Sequence, residues 1–145
     1  MSGAGIVVGA GIVGVGVDAV DVARFRRVLD RRPRVAARCF TESEQSDATH
    51  SGDIAQSLAA RFAAKEAVMK ALGTGIGSFA LTDVEVCRTP GRGATRNAPH
   101  LVLHGTAADL AGAQGAARLH LSLTHTDHVA IAFVVAEQSA SCAPS

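Results

Sequence analysis

The stretch from Asp53 to Leu72 limits how this chain can fold more than any other part, because it contains neither glycine nor proline. It is rich in alanine, leucine, lysine and glutamate, which are strong helix formers. Gly73 follows at once, and glycine is the residue type that most often lies just beyond the C-terminus of a helix. We therefore predict one long helix here, against which the rest of the chain must pack.

The other predicted helices are shorter, and the residues at their ends indicate where they begin and stop. Pro33 ends the first of them, because proline cannot continue a helix. Thr41 and Glu44 have the spacing of a capping box, and Thr106 can cap the last helix. The predicted helices are Asp21 to Arg32, Val35 to Phe40, one that begins after Thr41, and one from Thr106 to Ala113.

Strands are predicted at the beginning of the chain and, above all, in its second half. They are Gly11 to Val17, Asp83 to Arg88, His100 to His104, Leu119 to Thr124 and Val129 to Ala136. Strands cluster toward the end and helices toward the middle, a distribution typical of an α+β fold. We expect a largely antiparallel sheet packed against the long helix and the shorter ones.

Length and composition restrict the class of protein. A chain of 145 residues with 48% hydrophobic content suits one domain, and we expect it over residues 11–137, between a flexible extension (1–10) and a tail (138–145). A net charge of +1 without Trp or Tyr argues against a nucleic-acid partner. The apolar start lacks the basic residues of a signal peptide and is short for a membrane span. Three widely spaced cysteines fit the reducing cytoplasm, where we expect this protein.

The segment from Gly9 to Gly14 matches the G-x-G-x-x-G fingerprint of dinucleotide-binding proteins. That motif works only where a helix begins, so that its N-terminus faces the pyrophosphate. Here the residues from Val15 to Asp18 continue as a strand. We favour a glycine-rich strand packed closely against a neighbour, and a nucleotide-binding redox domain remains an alternative.

Glu66 interrupts an otherwise apolar stripe of the long helix, which contains Leu58, Phe62, Met69 and Gly73. A carboxylate in such a place needs a cation, a metal or several hydrogen-bond donors. Lys70 lies four positions later, so a simple helix salt bridge is one explanation. The chain has only two lysines, however, and both belong to this helix, whereas arginine is used elsewhere.

Asp18 is a possible partner of Glu66 in binding a metal. It ends the predicted first strand, and Asp21 is a rival for capping the helix that follows, which leaves Asp18 free. Two carboxylates together with substrate phosphate oxygens would suit Mg²⁺. The alternating glycines from Gly73 to Gly77 allow backbone amides to approach an anion. These features suggest a phosphate-containing substrate, and His125, at the end of a strand, has the best histidine context for a phosphate or proton role.

Arginines are concentrated in one early segment, where only Asp30 opposes them. Seven of the twelve lie there: Arg24, Arg26, Arg27, Arg31, Arg32, Arg34 and Arg38. On a nearly neutral chain, such a segment suits the docking of one acidic macromolecule. A non-catalytic module that binds acidic proteins is therefore a second alternative.

Three motifs resemble the holo-acyl-carrier-protein synthase family of phosphopantetheinyl transferases. They are the segment from Gly16 to Asp18 with Arg24 six residues on, the segment from Arg61 to Gly77, and the segment from Ser122 to His125. The resemblance implies transfer of phosphopantetheine from coenzyme A to an apo acyl carrier protein. It further implies that Asp18 and Glu66 bind Mg²⁺ and that Lys70 meets the transferred phosphate.

The same resemblance implies further contacts and an assembly. Residues that would line the coenzyme are Arg61, Gly73, Thr74, Gly75, Ile76, Gly77, His125 and Thr126, while Arg24 would dock the carrier. We expect Arg27, in the same arginine-rich segment, to take part in docking as well. The family forms homotrimers with the active site between subunits. The apolar residues of the last two strands agree with this, because we expect Ala130, Ala132 and Val134 to form a second apolar face that a neighbouring subunit covers.

Overall fold

A computed structural model describes residues 11–88 and 97–139, and helices and strands follow one another in a mixed order. The elements are β1 (Ile12–Asp21), α1 (Val22–Arg31), α2 (Arg34–Cys39), α3 (Glu42–Thr49), α4 (Ile54–Ala71), β2 (Val84–Arg88), β3 (Pro99–Leu103), α5 (Gly105–Ala113), β4 (Ala116–His125) and β5 (Val129–Gln138). A short 3-10 helix, Leu81–Asp83, precedes β2. None of the helices within these described residues is both long and apolar enough to cross a membrane.

All strand pairs in the described residues are antiparallel. One sheet has the order β1-β5-β4, and β2 pairs with β3 in a second. Helix α4 packs against β1 and β5. The main core lies between α4 and the sheets, and a second cluster that includes Phe25, Phe40 and Leu58 lies between α4 and the early helices. The predicted α+β fold built around one long helix is confirmed.

Two glycines allow β1 to approach α4 unusually closely. A Cβ atom at Gly14 would lie 1.9 Å from the carbonyl oxygen of Ala71, and one at Gly16 would lie 1.9 Å from that of Ala67. Only glycine fits such contacts with a backbone. Residues 12–21 are strand, so no helix begins at the described part of the G-x-G-x-x-G match; Gly9 and Ala10 lie outside the described residues. The glycines serve helix–strand packing, as we favoured.

Three helices begin at residues whose side chains cap them. Asp21 caps α1 by accepting a hydrogen bond from the Arg24 amide at 2.7 Å, Thr41 and Glu44 form the capping box, and Asp53 caps α4. The prediction for Thr106 was wrong. Helix α5 begins at Gly105 with His104 as its N-cap residue, and the His104 carbonyl already accepts from the Ala108 amide. Thr106 therefore lies inside the first turn, where it cannot cap.

The prediction that Asp18 ends the first strand was also wrong. Pairing with β5 continues to Asp21, which lies opposite Val129, so Asp18 is inside β1.

The predicted faces of the last two strands need correction too. Leu121 lies opposite Val134 and Leu123 opposite Ala132, and directly opposed residues share one face. Ala130, Ala132 and Val134 are thus buried in this chain's own core.

The other side of the three-stranded sheet is apolar and exposed. Phe133 is 45% exposed and lies opposite Val17, which is 53% exposed, while neighbouring Val15 is 55% exposed. Ile131 and Val135 alternate with the buried residues of β5 and extend this patch. We call it the outer sheet face; it, and not the alanine face, is the side of this sheet that residues 11–88 and 97–139 leave uncovered.

Candidate active site

Asp18 and Glu66 line one cavity, although they are far apart in sequence. Asp18 comes from β1 and Glu66 from α4, and the contact of Gly16 with Ala67 holds these two elements together at this level. The cavity has a volume of about 580 Å³, and Asp21, Arg24, Phe25, Val28, Val35, Phe62 and Ile76 are among its other lining residues. We call it the carboxylate cavity.

The Glu66 carboxylate is in a setting that favours a bound cation. Its pKa is raised, chiefly because it is partly buried and next because Asp18 is negatively charged, while Lys70 acts in the opposite direction. Within the part of the chain that the structure describes, the Glu66 carboxylate has no hydrogen bond or ion pair. Mutual repulsion and desolvation would both be relieved by a divalent ion.

Asp18 and Glu66 therefore fit Mg²⁺, which accepts few carboxylates and keeps other oxygen ligands. No cluster of three or more His, Cys, Asp or Glu suited to a metal lies among residues 11–88 and 97–139. A cation held by these two carboxylates would thus need water or phosphate oxygens to complete its shell.

Lys70 reaches across to β1. Its Nζ donates to the Asp18 Oδ1 atom at 3.2 Å and to the Val17 carbonyl oxygen at 2.9 Å. The alternative of a simple salt bridge to Glu66 is wrong, because the lysine pairs with Asp18 instead. The close packing of α4 on β1 brings these oxygens within reach.

The loop after α4 has two distinct parts. Gly73, with a φ of +66°, belongs to the end of the helix, where its amide donates to the Lys70 carbonyl. Beyond it, Gly77 has a φ of +91°, and Ile76 lies at the carboxylate cavity with 87% of its surface exposed. The amides of Gly75, Ile76 and Gly77 donate no backbone hydrogen bond to any residue of the described ranges. These amides can therefore receive an anion.

His125 lies in a different cavity, of about 320 Å³, at the beginning of α4. Ser51, Gly52, Asp53, Gln56, Ser57 and Arg88 line it together with the histidine, and we call it the histidine cavity. Gln56 and Glu66 are ten positions apart on α4, about 15 Å at the helical rise. One chain therefore does not bring His125 to the carboxylate cavity.

Arg61 and Thr126 are both tied into the structure near the histidine cavity. Arg61 is 3% exposed, donates to the Ser57 hydroxyl and carbonyl, and lies 3.8 Å from Asp47. Its buried Nε atom has no partner among the described residues, and burial lowers the pKa of the guanidinium. The Thr126 hydroxyl accepts from the amides of His128 and Val129 and so shapes the β4–β5 turn.

The predicted docking arginines lie on α1, near the carboxylate cavity. Arg24 lines that cavity, and Arg27 is exposed on the same helix. Sequence reasoning missed the apolar wall formed there by Phe25, Val28, Val35 and Phe62. The spacing of apolar residues along each helix predicts an apolar face. It does not predict that the faces of different helices together line a cavity.

Lys65 has a role that no sequence pattern predicted. Its ammonium is fully buried and lies 2.8 Å from Glu44 Oε2. It donates to the carbonyl oxygens of Leu81, at 3.0 Å, and of Val84. Lys65 therefore stabilises the core next to the site. Its partner Glu44 lies 21 positions away, so no local sequence pattern indicates the pair.

Two carboxylates, a lysine and a loop with available amides are the parts of an enzyme that acts on a phosphate group. The chain belongs to the 4'-phosphopantetheinyl transferase superfamily, whose profile matches residues 14–134. It is similar to a holo-[acyl-carrier-protein] synthase from Salinispora arenicola, with 48% identity over 128 residues, 88% of this chain and 99% of that protein. The resemblance inferred from the motifs is thereby confirmed.

Solved structures agree with this assignment. A holo-(acyl-carrier-protein) synthase from Bacillus anthracis in complex with CoA (3',5'-ADP) is 33% identical, with a TM-score of 0.71, over 90% of this chain and 100% of that chain. A holo-[acyl-carrier-protein] synthase from Helicobacter pylori in complex with coenzyme A is 29% identical, also with a TM-score of 0.71, over 84% of this chain and 98% of that chain.

Proposed function

We propose that this enzyme transfers 4'-phosphopantetheine from coenzyme A to a serine of an apo acyl carrier protein. The products are the holo carrier protein and 3',5'-ADP. The observation that carries the proposal is the shared cavity of Asp18 and Glu66, with Lys70 bound to Asp18 and the glycine loop directly after the same helix. Residues 11–137 form the catalytic unit in this proposal. The free thiols of Cys39 and Cys87 suit a cytoplasmic location.

Asp18 and Glu66 hold Mg²⁺ in this proposal. When bound, the ion neutralises charge on the phosphate oxygens. Lys70 stabilises the charge that develops on the transferred phosphate, and the amides around Ile76 hold a second oxygen-rich group of the coenzyme. The serine oxygen forms a bond to the β-phosphorus of coenzyme A, and the bond from that phosphorus to the oxygen of 3',5'-ADP breaks.

Glu66 accepts the serine proton, either directly or through a water molecule that it orients. Its position supports this role, because the Glu66 carboxylate lines the cavity beside Asp18 and a base must lie within reach of the proton that it accepts. Asp18 keeps its place on β1 through the strand ladder, so Glu66 and Asp18 approach the substrate from two rigid elements.

The second half of the coenzyme site comes from a neighbouring subunit in this proposal. Arg61, His125 and Thr126 contact the coenzyme there, because within one chain the histidine cavity is too far from the carboxylate cavity. The exposed outer sheet face supports an assembly, since burying Val15, Val17 and Phe133 against other copies would remove apolar surface from water. Light scattering should give the mass of a trimer; a fully active monomer would contradict this arrangement.

Arg24 and Arg27 dock the carrier protein. They lie on an exposed helix beside the carboxylate cavity, where an acidic surface could deliver its serine. Exposed charges of this kind act mainly by speeding association, which also lowers the dissociation constant.

A mass measurement tests the proposed reaction. The protein, coenzyme A, Mg²⁺ and an apo carrier should together give a carrier whose mass has increased by one phosphopantetheine. The Glu66→Gln variant should fold and give no product, whereas Arg118→Gln, on the distant β4 strand, should behave as the wild type. An unmodified carrier with the folded wild-type protein would refute the proposal.

A further inference from the structure

The Asp18 carboxylate already forms an ion pair within the chain, with the ammonium group of Lys70. Lys70 Nζ contacts Asp18 Oδ1 at 3.2 Å and the Val17 carbonyl oxygen at 2.9 Å. The side chain of Lys70 is 54% exposed and that of Asp18 is 20% exposed. The lysine therefore occupies a position on the same carboxylate that we assign to the metal.

We infer that Lys70 and the divalent cation exclude one another from Asp18, so that Lys70 leaves the carboxylate when the cation binds. This inference rests on the proposed function, in which Lys70 meets the transferred phosphate. Binding of the cation to Asp18 would then also release Lys70, which becomes free to contact the phosphate of the substrate.

Electrostatics favours exclusion over shared binding. An ammonium group and a divalent ion on adjacent oxygens of one carboxylate repel each other, and the second acceptor of Lys70, the Val17 carbonyl, has no net charge to offset this. The divalent ion has Glu66 as a second carboxylate, which Lys70 does not use. The ion is therefore the stronger competitor.

The geometry makes the release of Lys70 easy. An exposed lysine–carboxylate pair is weak, and the four-carbon side chain is flexible. Lys70 lies in the last turn of α4, and its carbonyl accepts from the amide of Gly73. The released ammonium can thus reach an anion at the glycine loop without movement of the helix.

Removal of Lys70 should consequently tighten metal binding and weaken coenzyme binding. We would titrate Mn²⁺ into the full-length protein without coenzyme A and measure free Mn²⁺ by electron paramagnetic resonance. The Lys70→Met variant should bind Mn²⁺ about two- to fivefold more tightly, the factor by which an exposed ion pair can hold back a competing ligand. Arg26→Met is the matched control: it breaks the exposed 2.7 Å pair with Asp53 and should leave Mn²⁺ affinity unchanged.

A direct measurement distinguishes displacement from simple repulsion. Lysine labelled with ¹³C at Cε gives only two side-chain signals, because Lys65 and Lys70 are the only lysines. Addition of diamagnetic Mg²⁺ should shift the Lys70 signal in proportion to site occupancy, while buried Lys65 serves as an internal reference. Mg²⁺ that displaces Mn²⁺ without moving the Lys70 signal would overturn the inference, as would Lys70→Met with unchanged or weaker Mn²⁺ affinity.

Different results would contradict the proposed metal site and the proposed displacement of Lys70. If Asp18→Asn and Glu66→Gln bind Mn²⁺ as the wild type does, the proposed metal site is wrong and the inference falls with it. If the carrier is modified normally and both variants lose Mn²⁺, but Lys70 stays on Asp18, only the inference fails.

Discussion

Helix α4 carries two lysines, and each is paired with a carboxylate in an opposite environment. Lys65 and Glu44 are both 0% exposed and lie 2.8 Å apart. Lys70 and Asp18 are 54% and 20% exposed and lie 3.2 Å apart. The same two chemical groups thus form one pair inside the core and another at the cavity.

The buried pair is held by hydrogen bonds on both sides. Lys65 donates to Glu44 and to two carbonyl oxygens, while the Glu44 carboxylate also accepts from the amides of Thr41 and Val86. These bonds join α3, α4 and β2. Because the charges were desolvated on burial, each depends on the other, and neither can exchange partners.

The exposed pair has fewer such bonds and is accessible to solvent. Such pairs contribute little to stability, so their partners can change during a reaction. The comparison teaches that burial, rather than the identity of the residues, separates a lysine that holds the fold from one that is available for chemistry.

The largest expected effect comes from Lys65→Met. The substitution leaves the Glu44 charge buried without its partner, which should cost about 3–5 kcal/mol of unfolding free energy. Lys70→Met should cost less than about 1 kcal/mol. Urea unfolding followed by circular dichroism measures both, and equal losses would show that the two environments do not differ as described.

The second largest effect is expected for Lys70→Met, which should change the catalytic rate strongly and the stability little. Lys70→Met should lower the rate of phosphopantetheine transfer about 100- to 1,000-fold, as loss of one group that stabilises transition-state charge does elsewhere. Its unfolding curve should stay close to that of the wild type. A Lys70→Met enzyme with full activity would place Lys70 outside the chemistry.

Arg24 and Arg27 are exposed on α1, and we expect them to act on the carrier protein. The Arg24→Gln and Arg27→Gln double variant should weaken carrier binding about tenfold, measured by calorimetry, with little change in coenzyme A binding. Added salt should weaken the wild type similarly, because it screens exposed charges. Arg118→Gln, an exposed arginine on β4, serves as the control. Unchanged carrier affinity in the double variant would refute docking by α1.

The features that the sequence predicts correctly depend on neighbouring residues. Helix α4, the capping box of Thr41 and Glu44, and the paired strands β4 and β5 all follow from short-range periodicity or caps. Asp18 and Glu66 were brought together by chemical reasoning on carboxylates, and the structure places both at one cavity.

The missed features depend on residues far apart in the chain. Lys70 meets Asp18 across 52 positions, and the faces of β5 depend on its register with β4. No helical or strand period encodes such contacts. Nor does any such period show that the carboxylate cavity and the histidine cavity lie apart along α4 within one chain.

The smallest expected effect concerns a third ion pair, between Arg26 and Asp53, which is exposed and also caps α4. Asp53→Ala should lower the unfolding free energy by about 1 kcal/mol, because the capping acceptor is lost. Asp53→Asn keeps an acceptor and should cost less than half as much, since only the charge is removed. Urea unfolding at neutral pH separates the two contributions.

The stability difference between the wild type and Asp53→Asn should also depend on pH, in a direction that the pKa of Asp53 determines. The hydrogen bond from Arg26, and next that from the Gln56 amide, hold the pKa of the Asp53 carboxyl below its ordinary value. A carboxyl with a lowered pKa stabilises the fold above its ordinary value, near 3.9, and loses that contribution as the pH falls through the lowered one. The advantage of the wild type over Asp53→Asn should therefore shrink on acidification below about pH 4. An advantage that grows in acid would mean that Asp53 stabilises α4 in its protonated form, and the Arg26 pair would then contribute nothing to the cap.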